Sequence, residues 1–348
     1  MQERQGGVIE SRAVRMNKTA MRKRANLRDV AAEAGVSVAT VSRVMNSPAT
    51  VAPATRERVE GAMRRLQWVP SAAARAINSG RTRFVGALVP TLDSDIFARV
   101  LANLEQGLTA QRLSLVVATT DDDPDIELAK ARALLDIGAE GLIVSGMTRS
   151  PDFDELVARA RLPVIAISCH DPDYRMPTIG YDNHGAALAA LSHLTGLGHR
   201  RIAVLHGPLR NDRTQRRVLA LQGQGDADLT FHETTLSTAG GCQAVRGVLS
   251  GRRPSAILCL SDVIAAGAMA EVQRHGLRIP DDMSVMGLDD LPGSAHLYPA
   301  LSTIHLPVSR MGRAVADALA GWVERDEKPD PQLLDHELVV RASTGPCR

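Results

Sequence analysis

Aromatic side chains make up only 3% of the 348 residues, so the hydrophobic cores must be built from Ala, Val, Leu and Ile. The four cysteines, Cys169, Cys242, Cys259 and Cys347, lie too far apart for a zinc or redox motif, and they suggest no disulfide framework. The sequence shows no signal-peptide pattern at its start and no apolar run of about 18 residues. We therefore expect a reduced, cytoplasmic protein that makes no contact with a membrane.

Motifs of common enzymes are also absent. The sequence contains no G-x-S-x-G, Walker A or HExxH pattern. The glycines of GLGHRR (residues 196–201) follow a predicted helix and precede a predicted strand, which reverses the order of a dinucleotide-binding loop. The histidines are scattered without metal-ligand spacing: His170, His184, His193, His199 and His206. We therefore expect no catalytic activity, no cofactor and no metal site.

The charge is unevenly distributed along the chain. Residues 1–82 hold 15 Lys and Arg against 6 Asp and Glu, a net charge of +9. Because the whole chain carries +2, the remainder must carry −7. The length exceeds one average domain, and 44% hydrophobic residues suffice for a large core. This pattern favours a small nucleic-acid-binding module fused to a larger domain that does not bind nucleic acid, although a solvated basic tail would explain part of it.

Two short helices are predicted within residues 26–46. Asn26 and Ser37 are typical N-cap residues before the runs Leu27–Ala34 and Val38–Met45, and Gly35 is a typical helix stop between them. In the second run, Val41, Val44 and Met45 form one apolar face. The other face carries Val38, Ala39, Ser42 and Arg43.

That second face suits the major groove of DNA. An Arg can pair with both acceptors of guanine, and Val or Ala can contact a thymine methyl group. A helix-turn-helix is one common use of such a pair of helices. The alternative is a small solvated helical hairpin with no DNA-binding role.

The next segments complete a small helical domain. Pro53 is placed to begin a third helix, whose apolar face would be Val59, Ala62, Met63 and Leu66. Residues 1–24 lack a hydrophobic period, and we expect a disordered basic extension there. After Pro70, the short run Ala72–Ile77 is too short to be a stable isolated helix, so it would be helical only when docked. A passive linker is the alternative for this run.

From Phe84 onward, buried strands alternate with helices, and a second such set begins after Tyr181. The tail adds a helix over Val308–Val323 and a strand over Leu333–Val340. This alternation predicts the α/β class, with two Rossmann-like lobes built on parallel sheets. Ligands of such sheets bind beyond the carboxyl ends of the strands. Two facing lobes would therefore enclose a ligand in the cleft between them.

Several segments of the sequence resemble the LacI/GalR family of bacterial repressors. The resemblance is carried by DVAAEAGVSVATVSRVMN, PSAAARAI, FVGALVPTLDSDIF, GAEGLIVSG, YDNHGAALAALSHLTGLGHRRIAVLHGP, PSAILCLSDVIAAGAMAEVQRHGLRIPDDMSVMGLDD and PALSTIHLP, in that order. Together these cover roughly residues 26–340. The resemblance implies an N-terminal helix-turn-helix with a hinge helix, followed by two Rossmann-like lobes of periplasmic-binding-protein type.

The resemblance also implies domain boundaries. After the extension 1–24, residues 25–69 would form the helix-turn-helix domain and residues 70–83 the hinge helix and linker. Residues 84–348 would bind effector and dimerise. The N-lobe would span about 84–181 plus 308–332, and the C-lobe about 182–304 plus 333–348.

Family positions imply a DNA-binding set. Val38, Ala39 and Arg43 would read bases. Ser37, Thr40, Ser42, Asn46 and Arg56 would contact phosphates. Ile77 occupies the position of the apolar wedge that enters the minor groove from the hinge helix, where the family usually has Leu.

The implied effector-binding set is Phe97, Ser168, Arg217, Ser261 and Asp289. Arg217 and Asp289 align with the family's ligand-binding Arg and Asp, and their alternatives are an interlobe salt bridge and a helix cap. Ser261 stands where many sugar-binding members have Asn, and Phe97 could equally be core. Leu236 falls near the place of a stacking aromatic in some members.

The function implied is a ligand-responsive, DNA-binding regulator, a repressor that binds a pseudo-palindromic operator as a homodimer. Its partners would be double-stranded DNA and a small polar metabolite such as a sugar or sugar acid. A solute-binding protein without DNA binding is the alternative from another class, because the large domain shares that architecture.

Overall fold

The computed structural model describes residues 25–69 and 80–348. The chain divides into two compact units, Met1–Asn78 and Ser79–Arg348, called here the N-terminal unit and the large unit. The expected extension at residues 1–24, and the predicted hinge helix with Ile77, lie outside the described residues.

Residues 25–69 of the N-terminal unit form three helices, α1 (Leu27–Ala34), α2 (Val38–Asn46) and α3 (Pro53–Arg65), with a 3₁₀ turn at Pro48–Thr50. As predicted, the side chain of Asn26 caps α1, where it forms a capping box with Asp29, and Gly35 ends the helix in the left-handed region. Val30, Val41 and Val59, one from each helix, are fully buried and form the centre of a common core.

The first sheet of the large unit has six parallel strands: β1 (Phe84–Val89), β2 (Ser114–Thr119), β3 (Ala139–Ser145), β4 (Val164–Ile167), β5 (Thr178–Gly180) and β11 (Gln332–Leu333). Their order across the sheet is β11-β5-β4-β3-β1-β2. Its helices are α4 (Asp95–Ala110), α5 (Pro124–Asp136), α6 (Pro151–Ala160) and α11 (Val308–Arg325). We call these elements the first lobe.

The alternating side chains of these strands supply two cores. Val85, Ala87 and Ile143 belong to the core that contains the buried residues of α4 and α11. Leu88 and Leu142, which point the other way, belong to the core that contains residues of α5 and of α6, where Phe153 is fully buried. Both faces of the sheet are covered, as expected for parallel strands.

The second sheet has four parallel strands: β6 (Arg201–His206), β7 (Asp228–Glu233), β8 (Ala256–Cys259) and β9 (Ser284–Met286). Their order across the sheet is β7-β6-β8-β9. Its helices are α7 (Asn183–Gly196), α8 (Asp212–Leu221), α9 (Thr238–Leu249) and α10 (Asp262–Arg274). These elements form the second lobe. The predicted α/β class with two parallel sheets is confirmed.

The tail differs from the prediction. The single strand expected over Leu333–Val340 is wrong: β11 joins the first sheet, whereas β12 (Glu337–Val339) pairs antiparallel with β10 (Thr303–His305). Polar Asp335 and His336 interrupt the run, and the backbone N–H of buried Leu334 donates to the Gly180 carbonyl at 2.7 Å. The chain therefore leaves one sheet and enters another small one within a few residues.

Candidate functional site

The start of α2 is held by two predicted phosphate-contacting residues. The Ser37 hydroxyl accepts a hydrogen bond from the Thr40 backbone N–H at 3.1 Å, and the two side-chain oxygens lie 2.9 Å apart. Ser37 is exposed and Thr40 is half-buried. This cap fixes the first turn of the helix, and it leaves the positive end of the helix dipole beside polar groups that suit a phosphate.

The outward face of α2 is the one predicted from the sequence. Val38, Ala39 and Arg43 are exposed, whereas Val41 and Val44 are buried in the core. Exposure of an apolar Val38 and a long cation on one helix face leaves them available for base edges.

The other predicted DNA-binding residues have varied surroundings. Ser42 is half-buried on α2. Asn46 is the last residue of α2, and its side chain is not among the described groups. Arg56 lies on α3, where its Nε is 4.0 Å from Glu60 Oε1. Ile77 lies outside the described residues.

A cleft of about 570 Å³ separates the carboxyl ends of the strands of the two lobes. All five predicted effector-binding residues line it: Phe97, Ser168, Arg217, Ser261 and Asp289. They come from α4 (Phe97), α8 (Arg217) and the strand ends after β4, β8 and β9, positions at which ligands of open parallel sheets bind. The volume lies within the range of small-molecule sites.

A buried polar group forms one wall of the cleft. Arg217 Nη1 lies 3.7 Å from Asp289 Oδ1 and donates to the Leu260 carbonyl at 2.9 Å. The Ser261 hydroxyl donates to Asp289 Oδ2 at 2.9 Å. Arg217 and Asp289 therefore present donors and acceptors side by side, an arrangement that suits adjacent hydroxyl groups of a ligand.

Asn183, which sequence reasoning missed, holds Arg217 in place. Its side-chain oxygen accepts from Arg217 Nε at 2.9 Å, and its nitrogen donates to the Ser168 carbonyl at 2.9 Å. Asn183 begins α7, directly after the chain leaves the first lobe. A cleft-lining cation of the second lobe is thus tied to a strand end of the first lobe.

Burial changes the acidity of the cleft. Removal from water raises the pKa of Asp289 to about 7, and the Arg217 guanidinium opposes that rise. Burial likewise raises the pKa of Tyr181, another cleft residue that sequence reasoning missed. At neutral pH the Asp289 carboxyl can therefore act both as a hydrogen-bond donor and as an acceptor.

Four residues that line the cleft have positive φ: Asp121, Asp122, Ser168 and Asp289. Ser168 has φ +63° and Asp289 has φ +133°, in a region that residues with a side chain rarely adopt. Such strained residues cluster at functional sites, although this chain also has them elsewhere, for example at Arg112 and Arg161. Ser168 and Asp289 are two of the residues predicted to bind the effector.

Apolar and further charged groups complete the cleft. Phe97 is largely buried, and Leu236 lies on the wall with about half of its surface exposed. Arg213 also lines the cleft, one helical turn before Arg217 on α8. This i, i+4 spacing places both guanidinium groups on one helix face, a signal that could have identified Arg213 from the sequence.

Other site types have no support in the parts of the chain that the structure describes. No three His, Cys, Asp or Glu side chains are grouped there as metal ligands. Within the same residues, no helix is long and apolar enough to cross a bilayer.

Comparison with protein families gives two matches. Residues 26–71 match the model of bacterial regulatory proteins of the LacI family. Residues 82–341 match the model of periplasmic binding proteins and the sugar-binding domain of the LacI family. The two models together span both units of the chain.

Individual proteins show the same likeness. The transcriptional regulator MalR of Streptomyces coelicolor is 34% identical, over 92% of this chain and 96% of MalR. The lac repressor dimer bound to operator and the anti-inducer ONPF is 28% identical, with a TM-score of 0.82 over 93% of this chain and 100% of the repressor chain. The complex of the transcriptional regulator CelR with cellobiose is 26% identical, with a TM-score of 0.66 over 92% of this chain and 100% of CelR. The chain therefore belongs to the LacI family of bacterial transcriptional regulators.

Proposed function

We propose that this protein is a repressor that binds a pseudo-palindromic operator as a homodimer, with an affinity controlled by a small hydroxylated metabolite in the interlobe cleft. The observation that carries the proposal is the buried Arg217–Asp289–Ser261 group in a cleft of ligand size, in a chain that also presents the capped, outward-facing α2. The lac repressor, a structural relative, binds operator as a dimer.

The DNA-binding roles follow from the exposed face of α2. Arg43 would donate to guanine, and Val38 and Ala39 would contact thymine methyl groups. The phosphate contacts would come from Ser37, Thr40, Ser42, Asn46 and Arg56. Ile77 would supply the apolar wedge to the minor groove at the centre of the operator.

The effector would be a sugar or a sugar acid. Arg217, Asp289 and Ser261 would hydrogen-bond its hydroxyl groups, Phe97 would pack against its ring, and Ser168 would contact it from the first lobe. CelR, whose fold the chain shares, binds cellobiose. Ligand binding would alter the angle between the lobes, and the hinge residues would transmit that change to the operator contacts.

We further propose that the protein acts in the cytoplasm without catalysis, cofactor or metal, because its relatives are transcriptional regulators. The domain boundaries near residues 24, 69 and 84, and the division of the two lobes near residues 181, 304, 308 and 332, belong to the same proposal.

The test is to incubate the purified protein with sheared DNA from its own genome and to sequence the protected fragments. We expect enrichment of a pseudo-palindromic site with a flexible central step, and a change in that enrichment when a pool of metabolites is added. A folded, dimeric protein that enriches no site under either condition would contradict the proposal. Heparin chromatography separates it from the solute-binding alternative, which predicts no retention at physiological salt.

A further inference from the structure

Five charged side chains join the two lobes at one side of the cleft. Asp122, Glu127 and Arg149 belong to the first lobe, and Asp212 and Arg213 belong to the start of α8 in the second lobe. Contacts of Asp122, Asp212 and Arg213 cross between the lobes.

The buried guanidinium of Arg213 makes the first crossing. Its Nη2 donates to Asp122 Oδ1 at 2.7 Å, and its Nη1 donates to Asp212 Oδ1 at 3.1 Å. Asn211 donates to the second oxygen of Asp122 at 2.9 Å. Arg213 is only 6% exposed, so its pairing with Asp122 is protected from solvent screening.

Asp212 makes the second crossing through the backbone. Its Oδ2 accepts hydrogen bonds from the backbone N–H groups of Met147 at 2.5 Å and Thr148 at 3.2 Å, in the loop after β3. Gly146, just before them, has φ +73°, and a Cβ there would collide with Arg213 Nη1. The loop is therefore shaped to receive the start of α8.

Glu127 lies beneath these crossings with an incompletely satisfied carboxyl group. Its Oε2 is 3.4 Å from Nε of the fully buried Arg149, but neither atom makes a hydrogen bond. Burial raises the pKa of Glu127 to about 7, and Arg149 and Arg213 oppose that rise. The cluster holds three carboxyl groups and two guanidinium groups, so one proton on Glu127 balances its charge.

We propose that this cross-lobe cluster is a closure latch, which stabilises the arrangement in which the two lobes face each other across the cleft, and that Glu127 makes the latch sensitive to pH. The latch deepens the proposed function, because it would set the energy that an effector must supply or overcome when the lobes move. Its existence can be tested without an effector or DNA.

The direction of the pH effect follows from the surroundings of Glu127. The ordinary pKa is 4.5, and the closed cluster raises it to about 7. Protonation therefore favours closure: the latch is strongest below the ordinary pKa and weakens as pH rises through about 7, by up to roughly tenfold in the closed-to-open ratio per pH unit. The charged groups that face Glu127 are Asp122 and Asp123 after β2, Arg149 after β3, and Arg210, Asp212 and Arg213 of the second lobe.

Hydrogen–deuterium exchange of the full-length, ligand-free protein reads the latch directly, because the Met147 and Thr148 amides are bonded only across the lobes. In Asp122→Asn, we expect exchange of the peptide containing residues 147–148 to accelerate by about tenfold, the effect of losing one charge-assisted hydrogen bond, although Asp122 does not contact these amides. Exchange in β4 should not change. The matched control is Asp125→Asn, an exposed carboxylate in the same segment, which should exchange like the unaltered protein.

The second test uses the variant Glu127→Gln, in which the side chain carries no charge at any pH. We expect the Met147 and Thr148 amides to exchange more slowly in this variant than in the unaltered protein. At each pH, the ratio of exchange rates between the unaltered protein and this variant cancels the intrinsic pH dependence of exchange. We expect a ratio near one at about pH 4, which rises by up to roughly tenfold per pH unit until about pH 7 and is nearly constant above it. A pH-independent ratio, or unchanged exchange at residues 147–148 in Asp122→Asn, would overturn the latch and leave the proposed function standing. If Asp122→Asn accelerates exchange throughout the large unit, the variant is destabilised as a whole. The pH dependence of the Glu127→Gln ratio then decides whether the latch exists.

Discussion

Replacing Asp289 by Asn should stabilise the large unit, relative to the unaltered protein, increasingly as pH rises. The Asp289 carboxyl is almost fully buried, and burial raises its pKa from the ordinary 3.8 to about 7. The unfolded chain therefore loses this proton at lower pH than the folded protein does. The stability that Asp289 contributes is complete below the unfolded pKa and is lost as pH rises through the folded pKa. Asn carries no such penalty and keeps nearly the same shape.

The size of the effect follows from the shift. Each pKa unit corresponds to about 1.4 kcal/mol, so a shift of about three units amounts to about 4 kcal/mol between pH 4 and pH 7. Between pH 5 and pH 7, the difference in unfolding free energy between Asp289→Asn and the unaltered protein should grow by about 2–3 kcal/mol. Above pH 7 it should remain constant. The variant also changes the pairing of Arg217, but it does so at every pH. This change therefore shifts the whole plot of the free-energy difference against pH and has little effect on its slope.

The assay is urea unfolding at pH 5, 6, 7 and 8, followed by far-UV circular dichroism, which is dominated by the helices of the large unit. The control is Asp317→Asn, because Asp317 is exposed in the middle of α11 and makes no ion pair within residues 25–69 and 80–348. Its difference from the unaltered protein should stay flat. A flat curve for Asp289→Asn as well would refute the argument, because it would mean that Asp289 ionises in the cleft as easily as in water.

Two further predictions concern the N-terminal unit. Arg43→Ala should cost about 1–3 kcal/mol of operator discrimination per half-site, measured by gel shift against altered sites, whereas Arg64→Ala on α3 should leave the preference intact; an unchanged preference in Arg43→Ala would refute its base-reading role. Asn26→Ala removes the capping box of α1 and should destabilise this unit by about 1 kcal/mol. In a protein that also carries Trp322→Phe, Trp68 is the remaining tryptophan, and its fluorescence follows unfolding of the N-terminal unit. An unfolding midpoint that is the same with and without Asn26→Ala would show that the cap does not stabilise this unit.

Helix ends were predictable because their signals are local. Asn26, Gly35, Ser37 and Pro53 each occupy the cap or first-turn position expected of them, since capping depends on residues within one helical turn. The buried faces of these helices followed from their periodicity. The central strands β1, β3 and β6 were predictable for the related reason that both of their faces are buried and apolar.

Strands β5 and β7 were not predicted, although the edge strands β2 and β9 were. Strand β5 has three residues, and β7, at the edge of its sheet, has alternating partial burial with a charged residue at each end. The split between β11 and β12 depends on which sheet accepts each piece, and no local pattern specifies that. These elements are determined by tertiary partners more than by their own sequence.

The candidate site was likewise predictable only in part. The resemblance to the LacI family placed five residues in the cleft, and the structure brings all five together there. The bond between Asp122 and Arg213 joins residues 91 positions apart, and Asn183 bridges Ser168 to Arg217. A sequence pattern cannot reveal such pairs, because neither partner has a distinctive neighbourhood.

The path of the chain through the two lobes has a consequence for its synthesis. The first lobe is completed by α11 and β11, which come from residues 308–333, although its other strands end at Gly180. On the ribosome, the buried face of α4 must therefore wait for its partner helix while the whole second lobe emerges. At translation rates of about 5–20 residues per second, the roughly 127 residues between Gly180 and Val308 take about 6–25 s to emerge. During it, the edge of β5 and the apolar face of α4 are exposed to other chains, so a nascent protein stalled before residue 308 should be a strong chaperone client.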